Sequence, residues 1–269
     1  MILKMPARRG NLRMKLGGLY FTLGRYILWF FTGVRFAGRC DETLPYKYFF
    51  HKTPLIRNLK DTEMYMQYNK ITNLKLAAKK INHATLHPGE TFSYWKLIGK
   101  PTKAKGYLKG MVLRNGKIIA GTGGGLCQLS NLIYWITLHT PLTVIERHRH
   151  GYDVFPDSNR TQPFGSGATC FYNYGDLMIK NSTDQNFQLQ ITVTDSELEG
   201  VWLTDEQPTR TYEVYEKDHI IQSEPWGGYT RHNVLCRKVF DQSRNELADE
   251  YIVENHAIMM YEPFLPEHL

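Results

Sequence analysis

Cysteine is scarce in this chain: four residues among 269, none of them in a CxxC pair. Cys127, Cys170, His148 and His150 could supply zinc-ligand atoms, but their positions show neither a CxxC nor an HxxxH spacing. No metal site and no cofactor are therefore expected. Negative charge is missing altogether from residues 1–40, where Lys4, Arg8, Arg9, Arg13, Lys15, Arg25, Arg35 and Arg39 give +8. The remainder has 25 basic against 26 acidic residues, a balance of −1. A nucleic-acid reader spreads Lys and Arg over its folded face, so this distribution points away from nucleic acid as a partner. Long hydrophobic runs are lacking too. The cleanest, Tyr26 to Val34, is about half the ~20 residues that a membrane-spanning helix needs.

What is present has the balance of an ordinary globular protein, 42% hydrophobic and 22% charged, and is long enough to bury a large core. Aromatic residues reach 13%, which favours sheet surfaces and binding grooves. The segment KLGGLYFTLGRYILWFFTGVRFA (15–37) is the first with a pattern. At helical spacing Leu16, Leu19, Tyr20, Leu23, Ile27, Phe30, Phe31 and Val34 share one side, with Lys15, Thr22 and Arg25 away from it. Two readings fit: a helix lying on an anionic membrane surface through residues 15–37, or a helix packing that stripe on its own domain. A signal peptide would need an n-region some two dozen residues long, and AGRC at Cys40 sets Arg39 where a lipoprotein cleavage box wants a small residue. Localisation stays open.

Further along, a helix is expected over 72–84, a type I′ hairpin over 111–120 with Asn115-Gly116 at its turn, and a helix over 126–139. Residues 41–54 read as a Pro-bounded connection. TVIERHRH (143–150) reads as a strand, as do 168–174, 187–195, 210–216, 232–240 and 250–262. The class is α+β, a helix-bearing core with a mixed or antiparallel sheet followed by a β-rich C-terminal part. Three parts are expected: a basic amphipathic segment over 1–40, a core over 41–206, and a β-rich extension over 207–269, divided near Gln207-Pro208.

The chemistry concentrates at GTGGGLCQLS (121–130). A glycine turn running into a helix would set Cys127 in the first helical turn, where free amides and the positive dipole end lower a thiol pKa. Gly123, Gly124 and Gly125, with Gln128, would form a loop able to receive an oxyanion. Arg147-His148-Arg149-His150 offers the base, and His148 and His150, two apart, share a strand face. Arg147 and Arg149, with Ser130, are candidates for gripping a substrate carboxylate. From the residues alone, a buried, inert cysteine is an equal alternative.

Four ordered blocks resemble the VanW domain: HPGETFSYWKLIGKP (87–101), GTGGGLCQLSNLIY (121–134), ERHRH (146–150) and GSGATCFYNYGDLMIKN (165–181). The resemblance covers roughly residues 70–195. It implies a cell-wall role, since some larger members are assigned L,D-transpeptidase activity with the GGGxCQ cysteine as nucleophile. That assignment maps onto Cys127, and the histidine closing the ER-x-x-H block maps onto His150, with His148 second. One position departs from the pattern. Larger members read G-R-D-A-T where this chain has Gly165-Ser166-Gly167-Ala168-Thr169, so the family aspartate is Gly167. Asp153, Asp157 and Asp176 are the replacements available. Two functions follow: a cysteine acyl-transfer enzyme acting on a peptidoglycan stem peptide or precursor, or a non-catalytic accessory protein that recognises such peptides or a partner.

Overall fold

The computed structural model describes residues 10–56, 63–114, 116–154 and 161–263. Its elements run α1 (Asn11–Phe31), β1 (Gly38–Arg39), β2 (Tyr46–Pro54), α2 (Met64–Ile81), β3 (Ala84–Leu86), β4 (Thr91–Ser93) and α3 (Tyr94–Ile98). Then come the hairpin strands β5 (Lys109–Arg114) and β6 (Lys117–Thr122), α4 (Cys127–Leu138), β7 (Thr143–Glu146), β8 (Tyr152–Asp153) and β9 (Met178–Lys180). Long strands close the chain: β10 (Phe187–Val193), β11 (Glu197–Thr204), β12 (Arg210–Ser223), β13 (Tyr229–Asp241) and β14 (Glu246–Met259). The α+β class is as expected.

Five strands form an antiparallel sheet in the order β1-β3-β10-β11-β2. Helix α4 lies over β11 and β2, and Gly200 of β11 brings the sheet backbone close to Leu132. Leu129, Leu132, Ile133 and Ile136 are buried as their spacing required, and the Trp202 indole donates to Thr137 Oγ1 at 3.0 Å. A three-stranded sheet, β4-β9-β7, and the β5–β6 hairpin flank this core. The proposed turn residue Asn115 lies outside the described residues. The last sheet runs β12-β13-β14-β8, with β8 joining parallel to β14, so the C-terminal sheet borrows an edge from mid-chain.

Several expectations need correction. Residues 41–54 are not a mere connection, since β2 within them forms an edge of the main sheet. The segment 168–174 forms no strand, only single bridges at Thr169 and Phe171. Strand β7 stops at Glu146, short of the histidines. The α2 helix begins at Met64, well ahead of the predicted start.

Helix α1 overturns the reading in which its apolar stripe packs on the body. It does dock, but through the opposite face: Gly18, Thr22, Arg25 and Trp29, at helical spacing, turn inward. Trp29 donates its indole N–H to Ser93 Oγ at 3.1 Å, and Lys96 Nζ donates to the Trp29 carbonyl at 2.9 Å. Leu16, Leu19, Tyr20, Leu23, Ile27, Phe30 and Phe31 are all exposed. Among the described residues, no helix is long and apolar enough to cross a membrane.

Candidate active site

The glycine triplet is explained by crowding. A Cβ on Gly124 would collide with the backbone of Gly110, and one on Gly125 with the Lys70 stem, while Gly125 also has a φ of +90°. The buried Asn73 side chain of α2 holds the turn in place, donating to the carbonyls of Gly124 at 2.9 Å and Leu108 at 3.1 Å. It also accepts from the Leu108 amide at 2.8 Å. Chain reversal in so small a space is possible only without side chains.

Cys127 is the first residue of α4, as the spacing indicated. Part of the residue reaches the surface, while its thiol is surrounded by protein and points at the carbonyl of Cys170, 3.7 Å away. The expected low pKa is not found. Burial pushes the thiol up, and backbone hydrogen bonding at Cys170 and at Cys127 itself, which works to lower it, does not offset this. Loss of water outweighs the helix dipole here, because a thiolate must be solvated by something and little faces the sulfur. Cys170 lies deeper, and burial raises its thiol still more clearly.

The oxyanion role assigned to the glycine amides also needs correction. Gly123 N–H donates to Leu108, Gly124 N–H to Gly121 and Gly125 N–H to Met111, all carbonyls of the turn and hairpin. Gln128 is likewise occupied, its Nε2 donating to Thr53 Oγ1 at 3.1 Å and the Pro54 carbonyl at 2.9 Å. Ser130 is buried and donates to the Ala168 carbonyl at 2.6 Å, which fastens α4 to the segment carrying Cys170. It is not placed to touch a substrate.

The ERHRH block lies against that same segment. The Thr169 amide donates to the His148 carbonyl at 2.8 Å, so the His148 backbone and the Cys170 backbone are separated by one residue and one bridge. His148 Nε2 meets Glu146 Oε1 at 2.8 Å, and its ring packs on Phe171. Glu146 also accepts from Arg25 Nη2 at 2.6 Å and the Asp176 amide at 3.0 Å. Burial works to raise the Glu146 pKa, but His148, Arg25 and the Asp176 amide prevail and hold it below the usual carboxylate value. His150 is half-buried, and burial together with neighbouring Arg149 lowers its pKa, favouring the neutral ring. Among the described residues, neither histidine ring is hydrogen-bonded to the Cys127 sulfur.

Arg147 is built into the fold rather than left for a ligand. It donates to the carbonyls of Gly167 at 2.9 Å and Gly165, reaches Asn255, and lies over the Tyr134 ring. Arg149 stacks on Phe164. Gly167 itself leaves no room for a side chain, since a Cβ there would come within 2.6 Å of Asn131 Oδ1, which accepts the Ala168 amide. Neither Asp153 nor Asp176 takes the vacant role. Asp153 pairs with Arg231 in the C-terminal sheet, and Asp157 lies outside the described residues. Asp176 is buried under Ser93 Oγ and the Trp95 amide, with its pKa pushed up to about 6 by burial.

The acid beside a histidine is Glu146. Sequence reasoning passed over it, although its place two residues before His148 carried the signal, since i and i+2 share a strand face. Arg25, Asn73 and Cys170 carried no such signal, because each acts across more than forty residues of chain. Among the described residues, no group of three or more His, Cys, Asp or Glu side chains is arranged to hold a metal ion.

Comparison with known proteins brings this site together with others. The family described as VanW like protein matches residues 69–203, the span from α2 to β11. The vancomycin B-type resistance protein VanW of Enterococcus faecalis is 39% identical over 191 residues, covering 69% of this chain and 70% of that protein. The uncharacterized protein YoaR of Bacillus subtilis is 30% identical over 113 residues, 42% of this chain but only 36% of that longer protein. No solved structure matches the chain at the same standard.

Proposed function

Since the chain belongs to the VanW family, we propose that it serves vancomycin-type glycopeptide resistance at the cell wall, as a cysteine acyl-transfer enzyme on peptidoglycan stem peptides. One observation carries this reading. Cys127 opens a buried helix on a turn too tight for side chains, and the carbonyl its thiol faces is one residue from the bridge to the histidine-bearing segment.

The proposed steps use the chain's own groups. His150, held neutral by burial, takes the Cys127 proton as the sulfur swings from the Cys170 carbonyl towards a substrate carbonyl. A C–S bond forms, and the oxyanion is met by the Cys127 amide at the helix start. The C–N bond breaks, the leaving amine takes the proton from imidazolium, and a thioester remains. An acceptor amine or water then attacks, passing a proton to the ring, which returns one to the sulfur. His148, oriented by Glu146, is the second candidate for the base.

Incubation with a tetrapeptide stem tests this by intact mass. A thioester on Cys127, released by hydroxylamine and absent from Cys127→Ala, is expected. His150→Ala should slow transfer by roughly a hundredfold or more. Absence of both adduct and product would overturn it. The raised thiol pKa and the inward-facing S–H favour a second reading, an accessory protein that recognises the same peptides or a partner without turnover. In that case Cys127→Ala binds the stem peptide as tightly as the parent chain in calorimetry.

A further inference from the structure

Helix α1 is inverted relative to an ordinary surface helix. Gly18, Thr22, Arg25 and Trp29 face the body, and most of its other aliphatic and aromatic residues face outward, Tyr20 being 74% and Phe31 80% exposed. Leu16, Leu19, Leu23, Ile27 and Phe30 lie on the same outer side, each more than half exposed. A continuous apolar face of this extent on one helix marks an interaction surface.

The charge around it identifies the occupant. Arg13 and Lys15 stand exposed at one end of the helix, and Arg35 and Arg39 beyond the other. No acidic residue occurs anywhere in residues 1–40. At the far end, Arg35 and Lys180 line a cavity of about 450 Å³ together with Leu28, Val34, Ile145 and Met178, and its one carboxylate, Glu146, is paired with Arg25. An apolar strip ending at two cationic side chains, with the nearby carboxylate already paired, fits acyl chains and an anionic headgroup. A second copy of the chain fits poorly, because the exposed charges flanking this face, Arg13, Lys15, Arg35 and Arg39, are all of one sign and would be brought together with their counterparts.

We propose that α1 docks the protein on an anionic lipid leaflet, lying in the interface plane with its outward side chains Leu16, Leu19, Leu23, Ile27, Phe30 and Phe31 inserted and Arg35 and Lys180 at the headgroups. The inner side of the same helix holds Glu146 through Arg25, so the docked helix is fastened directly to the histidine-bearing segment. This docking depends on α1 and stands whether or not Cys127 turns over.

Sedimentation of the full chain with phosphatidylglycerol-containing and with pure phosphatidylcholine vesicles tests it. The parent chain should pellet with the anionic vesicles, less so as salt rises. The double variant Phe30→Ser/Phe31→Ser should lose at least about tenfold in partitioning. Arg13→Gln and Lys15→Gln should each lose about fivefold on anionic vesicles and nothing on neutral ones. Unchanged melting of these outward-facing variants confirms that their folds are intact. The proposal is overturned if the parent stays in the supernatant with anionic vesicles, or if the variants pellet as the parent does. It is equally overturned if analytical ultracentrifugation finds a dimer that Phe30→Ser/Phe31→Ser dissolves, since the face is then covered by a second copy.

Discussion

Helices α1 and α4 draw on similar residues and have opposite fates. α4 buries nine of its twelve residues and receives sheet on one side and the 168–171 segment on another. α1 is longer, with 21 residues, yet among its described residues only Arg25 and Trp29 are buried. Both are rich in large apolar residues and share Leu, Tyr and Trp. Apolar content therefore does not decide burial here. What decides it is what the rest of the molecule presents to each helix: apolar sheet faces to α4, and to α1 two neighbouring carboxylates and a carbonyl. Glu146, Asp176 and the Tyr174 carbonyl need a cation, and Arg25 supplies it from α1. The helix then has only its apolar side left to expose.

The contrast can be broken most severely at the base of α4. Gly125→Ala places a Cβ inside the Lys70 stem at a left-handed backbone position, and should destabilise the fold by about 3–5 kcal/mol. Thermal unfolding measures this, and a melting temperature near that of the parent would mean that the turn is not as crowded as its geometry implies. Next in size is the tether of α1. Arg25→Leu leaves Glu146 and Asp176 without their cation and should cost about 3 kcal/mol. Limited proteolysis should then cut within α1 before the body unfolds. Cleavage only after global melting would show that Trp29 and the Tyr26–Tyr172 contact hold the helix unaided. The smallest effect has the opposite sign. Gly24 of α1 has nothing within 4 Å of a built Cβ, so Gly24→Ala should stabilise by up to about 1 kcal/mol through helix propensity. A loss of stability on that substitution would place an undescribed neighbour over this face.

Much of the core and part of the site could be read without coordinates. The helix from Leu126, the hairpin either side of Gly116, and the strands around 187–195, 210–216, 232–240 and 250–262 follow from apolar periodicity and turn residues. Cys127 at a helix start follows from glycine placement. Strand β2 was missed because Pro45 and Pro54 bound it and its exposed Lys47 and Lys52 dilute the alternation. At 168–174 the β-forming composition ATCFYNY misled, since that segment is spent on pinning Ser130 and the Cys127 thiol rather than on joining a ladder.

Signals that act over a few residues were complete in the sequence: glycine where no Cβ fits, alternation along β10, the 3.6-residue stripe of α4, and the charge asymmetry of residues 1–40. Whatever depends on the environment of an atom was decided by tertiary structure. The sign of the Cys127 pKa shift is such a case, because the helix start that would lower it and the enclosure that raises it come from different parts of the chain. So is the orientation of α1. An amphipathic stripe says that two faces differ, and groups far along the chain, among them Glu146, 121 residues away from Arg25, determined which face turned inward. Leaving the neighbouring Glu146 and Asp176 carboxylates without a cation costs more than an apolar face left in water, and that inequality set the helix the other way round.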